Sequence, residues 1–323
     1  MIRTIIFDPQ GHLVKETGLS AIHHCLAEQG HLLWVDLQEP TPDDLEQVQR
    51  EFHVHPLVME DVIKGRQRPK VDCYGDYFYL VCYAVTHGND LTDFVPSQLN
   101  ILVGDSYIVT IHSNEIAILS ETLSRWEKGP RHHEEGVGFL LYFLLDSVVD
   151  DYFPVLDSVD ERIEALEQSL FTGSQEEEAL REIFRLKRSL LAIRRVIAPK
   201  RDMVNQFLRE ERPIFAPSTI VYFQDVHDHV IRVVDALDSH REMLTGTLEA
   251  YLSIQSNRLN VVMKKLTVLA TVVGGIGVVL GAWGMNLDHV PFKGTPWGFW
   301  AVLAGSAALA MVGLLGAWKM RWF

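Results

Sequence analysis

Small and polar side chains occupy one face of a long apolar stretch near the C-terminus. Alternating steps of three and four residues follow one face of a helix, and here they connect Asn260, Met263, Thr267, Ala270, Gly274, Gly277 and Gly281. A dry coiled-coil seam carries Leu, Ile or Val at such positions. The face therefore suits a helix that lines a water-filled path among copies of itself. The spacing of Ala270 with Gly274, and of Gly277 with Gly281, equally suits a small-residue packing face, and periodicity leaves both interpretations open.

The stretch that carries this face is long enough to cross a membrane. The 22 residues 266–287 contain no charged side chain, and as a helix they cover roughly 33 Å, enough for a hydrocarbon core. A second uncharged run extends from Gly294 to Trp318. Basic residues flank the pair and are expected to form a ring at the cytoplasmic surface: Lys264, Lys265, Lys319 and Arg321. The positive-inside rule then predicts a hairpin with both termini in the cytoplasm.

The rest of the chain divides into a sheet domain and helical segments. Short β-type runs (4–7, 32–35, 77–85, 99–103 and 107–112) alternate with helices that begin at Thr41 and near Glu115, which predicts a mixed α/β sheet domain over residues 1–136. Residues 137–212 are expected to form an antiparallel helical hairpin with a kink at Pro154. The segment 213–287 is expected to hold one long stalk helix from about Thr219 to Trp283, capped by Ser218 or Thr219, which ends in the first span at about 266–286. An external loop (287–297), the second span (298–318) and a basic tail (319–323) follow.

Composition restricts the classes of function. The 323 residues are 47% apolar with a mean hydropathy of +0.06, and positions 1–265 hold 26 Lys and Arg against 42 Asp and Glu. Such an acidic domain argues against nucleic acid as a partner; it suits divalent cations, or solubility alone. The sequence has no phosphate-binding GxxxxGK[ST] loop. Nor does it show a catalytic constellation or an HExxH or zinc-finger spacing among its 14 histidines. An ATP-driven step and an enzyme are therefore not expected, and the histidines are interpreted as surface or core residues.

Three sequence motifs resemble one family along essentially the whole chain. Gly284, Met285 and Asn286 spell GMN directly before a short loop and a final span, preceded by SNRLNVVMKKLT at 256–267. Upstream, HPLVMEDVIKGRQRPKVDCYGDYFYLV at 55–81 and YFQDVHDHV at 222–230 continue the likeness. By this resemblance the chain is identified as a member of the CorA family of magnesium transporters.

The resemblance implies an α+β protein with long helices that assembles into a funnel-shaped homopentamer in the inner membrane. Mg²⁺ is then both the transported ion and a regulatory ligand, and no organic cofactor is expected. Gly284, Met285 and Asn286, with Asp288, correspond to the entrance filter. Asp225 corresponds to one ligand of a cytoplasmic Mg²⁺ sensor, and Asp90 or Asp93 is a candidate for its partner. The pore-lining and gate residues are expected to be Asn260, Met263, Leu266, Thr267, Ala270, Gly274, Gly277 and Gly281.

Two departures from the family pattern keep alternatives open. The loop retains Asp288 but has Phe292 where the family commonly has a second acidic residue, and it gains Lys293, so Zn²⁺, Co²⁺ or Ni²⁺ remain alternative substrates. Gly274 and Gly277 stand where relatives often place a bulky gate residue and a hydroxyl, which leaves Met263 and Leu266 as the expected constriction. Three hypotheses follow: a pentameric Mg²⁺ channel closed by internal Mg²⁺, a related transporter for zinc, cobalt or nickel with or without proton coupling, and a membrane-anchored sensor or scaffold that conducts nothing.

Overall fold

A computed structural model describes residues 1–8, 13–16, 22, 30–87, 94–128, 136–172, 176–209, 217–285, 292 and 294–319 of the 323-residue chain. They form two compact units, Met1–Thr245 and Gly246–Phe323. The division falls inside one long helix, which contributes to both units.

A mixed sheet lies at the centre of the first unit, as predicted. Its strands run in the order β2-β1-β3-β7-β6-β5-β4, and only the central pair β3 and β7 is parallel among the pairings described. The strands are β1 (Ile2–Phe7), β2 (Leu13–Glu16), β3 (Leu32–Gln38), β4 (Lys70–Tyr74), β5 (Tyr77–His87), β6 (Phe94–Val103) and β7 (Tyr107–His112). Strands β2 and β4 were not predicted; each is short and pairs antiparallel at an edge of the sheet.

Two helices cover the sheet on the side of its main apolar cluster. Helix α1 (Pro42–Glu51) begins with a capping box between Thr41 and Asp44, which satisfies two backbone N–H groups at its N-terminus. Helix α2 (Pro56–Lys64), with His55 as its N-cap, was not predicted. Leu45 and Val48 of α1 and Val58 and Met59 of α2 are buried in a cluster with the strand residues, so apolar packing holds both helices in place.

The expected helical hairpin is a set of three helices rather than two. Helix α3 (Ala117–Lys128) is followed by α4 (Gly136–Asp150), α5 (Tyr152–Thr172) and α6 (Glu176–Phe207). The predicted kink at Pro154 is wrong: the break lies at Asp151, and Pro154 is the third residue of α5. A first-turn proline loses no intrahelical hydrogen bond, because the first N–H groups of a helix have no partner there.

One backbone carbonyl joins the helices to the sheet. Tyr83 O of β5 accepts hydrogen bonds from Tyr152 Oη at 2.8 Å and from Lys200 Nζ at 2.9 Å. Lys200 is only 3% exposed, and its burial lowers the pKa of the ammonium group to about 8. The ammonium also lies 4.8 Å from the centre of the Tyr152 ring, a cation–π contact that partly replaces the lost hydration.

The long helix α7 (Pro217–Gly284) has 68 residues. It begins at Pro217, so Ser218 and Thr219 lie inside its first turn and the predicted capping role is wrong. Within the first unit its buried stripe recurs every three or four residues at Phe223, Val226, Val230, Val233, Leu237, His240 and Leu244. Helix α8 (Gly298–Lys319) follows. The Gly284 end of α7 and the whole of α8 are long and apolar enough to cross a membrane, by length and composition.

Candidate functional site

The candidate pore face of α7 is open in the single chain. Asn260, Met263, Leu266, Thr267, Ala270, Gly274, Gly277 and Gly281 are all exposed. A Cβ atom built on Gly274, Gly277, Gly281 or Gly284 would meet no atom within 4 Å. The face therefore does not pack against α8 of the same chain, which leaves water, lipid or other copies as its surroundings.

The opposite face of α7 is the one that meets α8. Val268 is only 7% exposed, Val272 and Ile276 are partly buried, and a Cβ atom on Gly313 of α8 would lie 3.4 Å from Val272 Cγ2. At about 100° per residue this contact face is nearly opposite the face of small residues. Helix α7 therefore has one side that α8 covers and one side that α8 leaves uncovered.

Thr267 is the hydroxyl residue on the uncovered face. Its Oγ1 donates a hydrogen bond to Met263 O at 2.8 Å, which uses the hydroxyl proton within the helix. The lone pairs of this oxygen remain available to accept hydrogen bonds from water. In the one-letter sequence this arrangement cannot be seen, because it depends on the side-chain rotamer.

The GMN segment is described only in part. Helix α7 ends at Gly284, and Met285 is 53% exposed. The predicted filter residues Asn286 and Asp288 lie outside the described residues, as do Asp90, Asp93 and Arg321. The other predicted basic residues, Lys264, Lys265 and Lys319, are exposed on α7 and α8.

Asp225 lies in a cluster that could hold a metal ion. One ligand atom each of Asp146 on α4, Asp225 on α7 and His229 on α7 lie within 4.8 Å of one another. His229 Nε2 is 3.7 Å from Asp225 Oδ1, and its Nδ1 is 3.5 Å from Asp146 Oδ1 and 3.0 Å from Asp150 Oδ1. The cluster therefore joins two helices of the first unit through a single imidazole.

The electrostatics of this cluster favour a cation. Burial, and then the charge of Asp150, raises the pKa of the Asp146 carboxyl to about 6. Asp146 Oδ1 is buried and accepts no hydrogen bond from the described part of the chain. A buried carboxylate oxygen without a hydrogen bond is costly, and a divalent cation would relieve that cost. Two carboxylates and one imidazole are ligands for a divalent ion; oxygen ligands suit Mg²⁺, and the imidazole suits Zn²⁺, Co²⁺ or Ni²⁺ better.

Sequence reasoning identified one of the three residues of this cluster. His229 is four residues after Asp225 and shares its helical face. This spacing was a usable signal, but the histidines were interpreted as surface or core residues and the signal was missed. Asp146 belongs to a different helix, and its proximity to Asp225 depends on packing. The acidic residue Asp150 adjoins the cluster through its hydrogen bond to His229.

The comparisons with known proteins agree along the chain. The profile of the CorA-like Mg²⁺ transporter protein family matches residues 29–318. The cobalt/magnesium transport protein CorA of Thermotoga maritima is 30% identical over 282 residues, which cover 87% of this chain and 80% of that protein. The protein of the same name from Methanocaldococcus jannaschii is 25% identical over 287 residues, 88% of this chain and 89% of that protein.

A solved structure shows the same fold. The complete structure of the CorA magnesium transporter from Methanocaldococcus jannaschii superposes with a TM-score of 0.85, at 23% sequence identity, over 99% of this chain and 98% of that chain. At this identity the likeness concerns the fold, which comprises the mixed sheet domain, the long helix and two C-terminal apolar helices.

Proposed function

Because the chain belongs to the CorA family and is therefore a divalent-cation transporter rather than an enzyme, we propose that it is a homopentameric channel for hydrated Mg²⁺. The uncovered face of α7 lines its pore, and Mg²⁺ bound at the cytoplasmic domains closes it. The hairpin lies in the inner membrane with both termini in the cytoplasm, as the flanking basic residues favour.

The placement of the glycine face carries this proposal. In each chain α8 covers one side of α7, and the face of small residues points away from it. Five such hairpins around an axis, with α8 outside, bring the uncovered faces together. A face rich in Gly and Ala leaves room for a water column, and Asn260 and Thr267 supply polar rings along it.

The chemistry of this face suits a hydrated ion. Mg²⁺ loses its water reluctantly, so neutral oxygens that accept hydrogen bonds from its water shell hold it without trapping it. The Thr267 oxygen can accept in this way, and the Asn286 amide is the corresponding group at the entrance. A membrane potential of 100 mV supplies about 2.3 kcal/mol per charge, hence roughly 4.6 kcal/mol for a divalent ion. No chemical fuel is required.

The Asp225 cluster is the proposed regulatory site. Asp146 on α4, with Asp225 and His229 on α7, would hold a divalent ion and so join α4 to the helix that also carries the pore face. Without a cation, repulsion among the carboxylates of Asp146, Asp150 and Asp225 would weaken the contact between the two helices. A carboxylate from a neighbouring subunit, with Asp90 and Asp93 as candidates, completes the ligand set.

A transition-metal substrate is the second candidate. It is favoured by the imidazole in the cluster, which suits Zn²⁺, Co²⁺ and Ni²⁺ better than Mg²⁺. Proton coupling belongs to this alternative.

Flux into proteoliposomes separates the candidates. Purified protein is reconstituted into liposomes that carry a potassium diffusion potential, negative inside. Uptake of Mg²⁺, Zn²⁺, Co²⁺ and Ni²⁺ is followed with entrapped dyes, with and without a pH gradient. Mg²⁺ uptake that follows the potential and ignores the pH gradient is expected. Uptake of Zn²⁺ driven by protons would favour the second candidate, and no uptake of any ion would favour a non-conducting sensor.

The entrance filter is tested by Asn286→Ala. Loss of the amide is expected to lower Mg²⁺ uptake at least tenfold while the size of the assembly by light scattering is unchanged. Wild-type uptake by this variant would contradict the filter assignment.

The regulatory site is tested by Asp225→Ala. This variant is expected to need at least tenfold more internal Mg²⁺ for half-inhibition of uptake, whereas Glu121→Gln, an exposed change on α3, should behave as wild type. Unchanged inhibition in Asp225→Ala would remove the regulatory role of the cluster and leave the pore assignment intact.

A further inference from the structure

A cavity of about 530 Å³ opens at one end of the sheet, in the first unit. Its wall is built from the end of α1 and from the turns that connect β4 to β5 and β6 to β7. It shares no lining residue with the Asp225 cluster. The volume is in the range of small-molecule sites.

Aromatic rings line the cavity. Tyr74 and Tyr77 are stacked with ring centres 5.5 Å apart, and Phe52 meets Tyr107 at 4.7 Å and an angle of 49°. Burial, with smaller contributions from Tyr77, Asp105 and Asp76, raises the pKa of the Tyr107 phenol. The phenol is neutral at physiological pH, and the face of its ring carries the negative potential that attracts cations.

Negative charge surrounds these rings. Asp76 and Asp105 sit on the two hairpin turns at the rim and are exposed, and no ion pair joins either of them to a basic residue within the described ranges. No Lys or Arg is among the lining residues, which include Glu51. The C-terminal end of α1, at Glu51 and Phe52, adds the negative end of a helix dipole.

The arrangement suits an organic cation better than a metal ion. A divalent ion needs several oxygen or nitrogen ligands at about 2–2.6 Å. All residues that line this cavity are among those that the structure describes, and their carboxylates and imidazole do not form a cluster of three ligand atoms within 4.8 Å of one another. Aromatic rings beside the carboxylates of Asp76 and Asp105 suit quaternary and primary ammonium groups. We propose that this cavity binds a small organic ammonium ion, a role separate from ion transport.

Binding to the full-length protein in lipid nanodiscs tests the proposal. Isothermal titration calorimetry compares choline with 3,3-dimethylbutan-1-ol, its uncharged isostere, and putrescine with butane-1,4-diol. At least one of the two cations is expected to bind tenfold or more tightly than its neutral counterpart, and to bind more weakly as salt is raised. Equal affinity within both pairs, or no binding by either cation, would overturn the proposal. The result does not depend on transport, because binding is measured directly.

Substitutions of residues that line the cavity test whether the cation binds there. Asp76→Asn with Asp105→Asn removes the rim charges while keeping residues that suit turns, and it is expected to weaken cation binding about fivefold or more. Tyr74→Leu removes one ring and is expected to weaken binding about two- to fivefold; it serves as an independent readout should the double variant unfold. Glu121→Gln on α3, which removes one exposed carboxylate that does not line the cavity, is the control. Wild-type affinity in folded forms of both test variants would place the cation elsewhere and contradict the proposal.

Discussion

Helices α4 and α8 have similar apolar composition and opposite surroundings. In α4, 12 of its 15 residues are buried, including Leu140, Leu141 and Leu144. In α8, only Gly298, Ser306 and Ala317 of its 22 residues are buried, and Leu303, Leu309 and Trp318 are among its exposed side chains. The first helix is covered by its own chain, whereas the second presents an apolar surface that water cannot solvate favourably.

The two helices also differ in the surroundings of one polar side chain each, Asp146 in α4 and Ser306 in α8. Asp146 in α4 is surrounded by protein, so its carboxylate is desolvated and its pKa rises to about 6. Ser306 in α8 instead satisfies its hydroxyl with Val302 O of the previous turn at 2.9 Å, as a helix in lipid must. Asp146, whose buried carboxylate oxygen has no hydrogen bond within the described part of the chain, is therefore a candidate for binding, whereas Ser306 is satisfied within its own helix.

Two uncovered glycines, one on each helix of the hairpin, should differ most in how their substitution affects Mg²⁺ uptake. Gly277 on α7 and Gly305 on α8 both leave open space for a Cβ atom. If only the α7 face lines a pore, Gly277→Leu should lower Mg²⁺ uptake by more than tenfold by narrowing and drying the water column. Gly305→Leu, which adds the same side chain toward lipid, should leave uptake within about twofold. Uptake is measured in proteoliposomes.

The oligomeric state of these two variants separates the alternatives for the α7 face. A pore-lining Gly277 predicts that the Gly277→Leu assembly keeps its size by light scattering while uptake is lost. A face that packs tightly between helices predicts that the assembly dissociates. Equal losses of uptake in both variants would show that the two faces are equivalent and would contradict the pore assignment.

Truncation of a leucine should lower the free energy of unfolding much more in α4 than in α8. Leu141→Ala in α4 removes a fully buried side chain and is expected to cost about 2–5 kcal/mol of unfolding free energy. Leu309→Ala in α8 removes an exposed one and is expected to change it by less than about 1 kcal/mol. Thermal unfolding of the full-length protein, followed by circular dichroism in detergent, measures both. A similar loss in the two variants would mean that α8 is as densely covered as α4.

Lys200 should give the smallest effect, seen as a pH dependence. Its pKa in the folded protein, about 8, lies below the ordinary value of 10.5, so unfolding takes up a proton between these values. Stability of the wild type should therefore rise from pH 8 to pH 10 relative to Lys200→Met, by on the order of 2 kcal/mol. The penalty for burying the charge is fully present below pH 8. A difference between the two proteins that is constant with pH would show that the ammonium is not desolvated.

Local patterns predicted most elements of both units. The start of a helix at Thr41, the β-type runs of β5 and β7 and the two apolar helices depend on neighbouring residues alone. Strand β4 was missed because its five residues are only half-buried and alternate weakly. The break between α4 and α5 was placed at the proline rather than at Asp151, because a first-turn proline and an internal one look alike until the start of the helix is known.

The sequence by itself determined the family, the mixed sheet, the hairpin of apolar helices and the face of small residues on α7, because each depends on composition or on spacing along one element. Tertiary structure decided that this face points away from α8, since two helices in contact choose their sides by packing. It also decided that Asp146 joins Asp225 and His229, and that four aromatic rings meet beside Asp76 and Asp105. Both groupings bring together side chains from separate elements, and no periodicity within a single element encodes such distances.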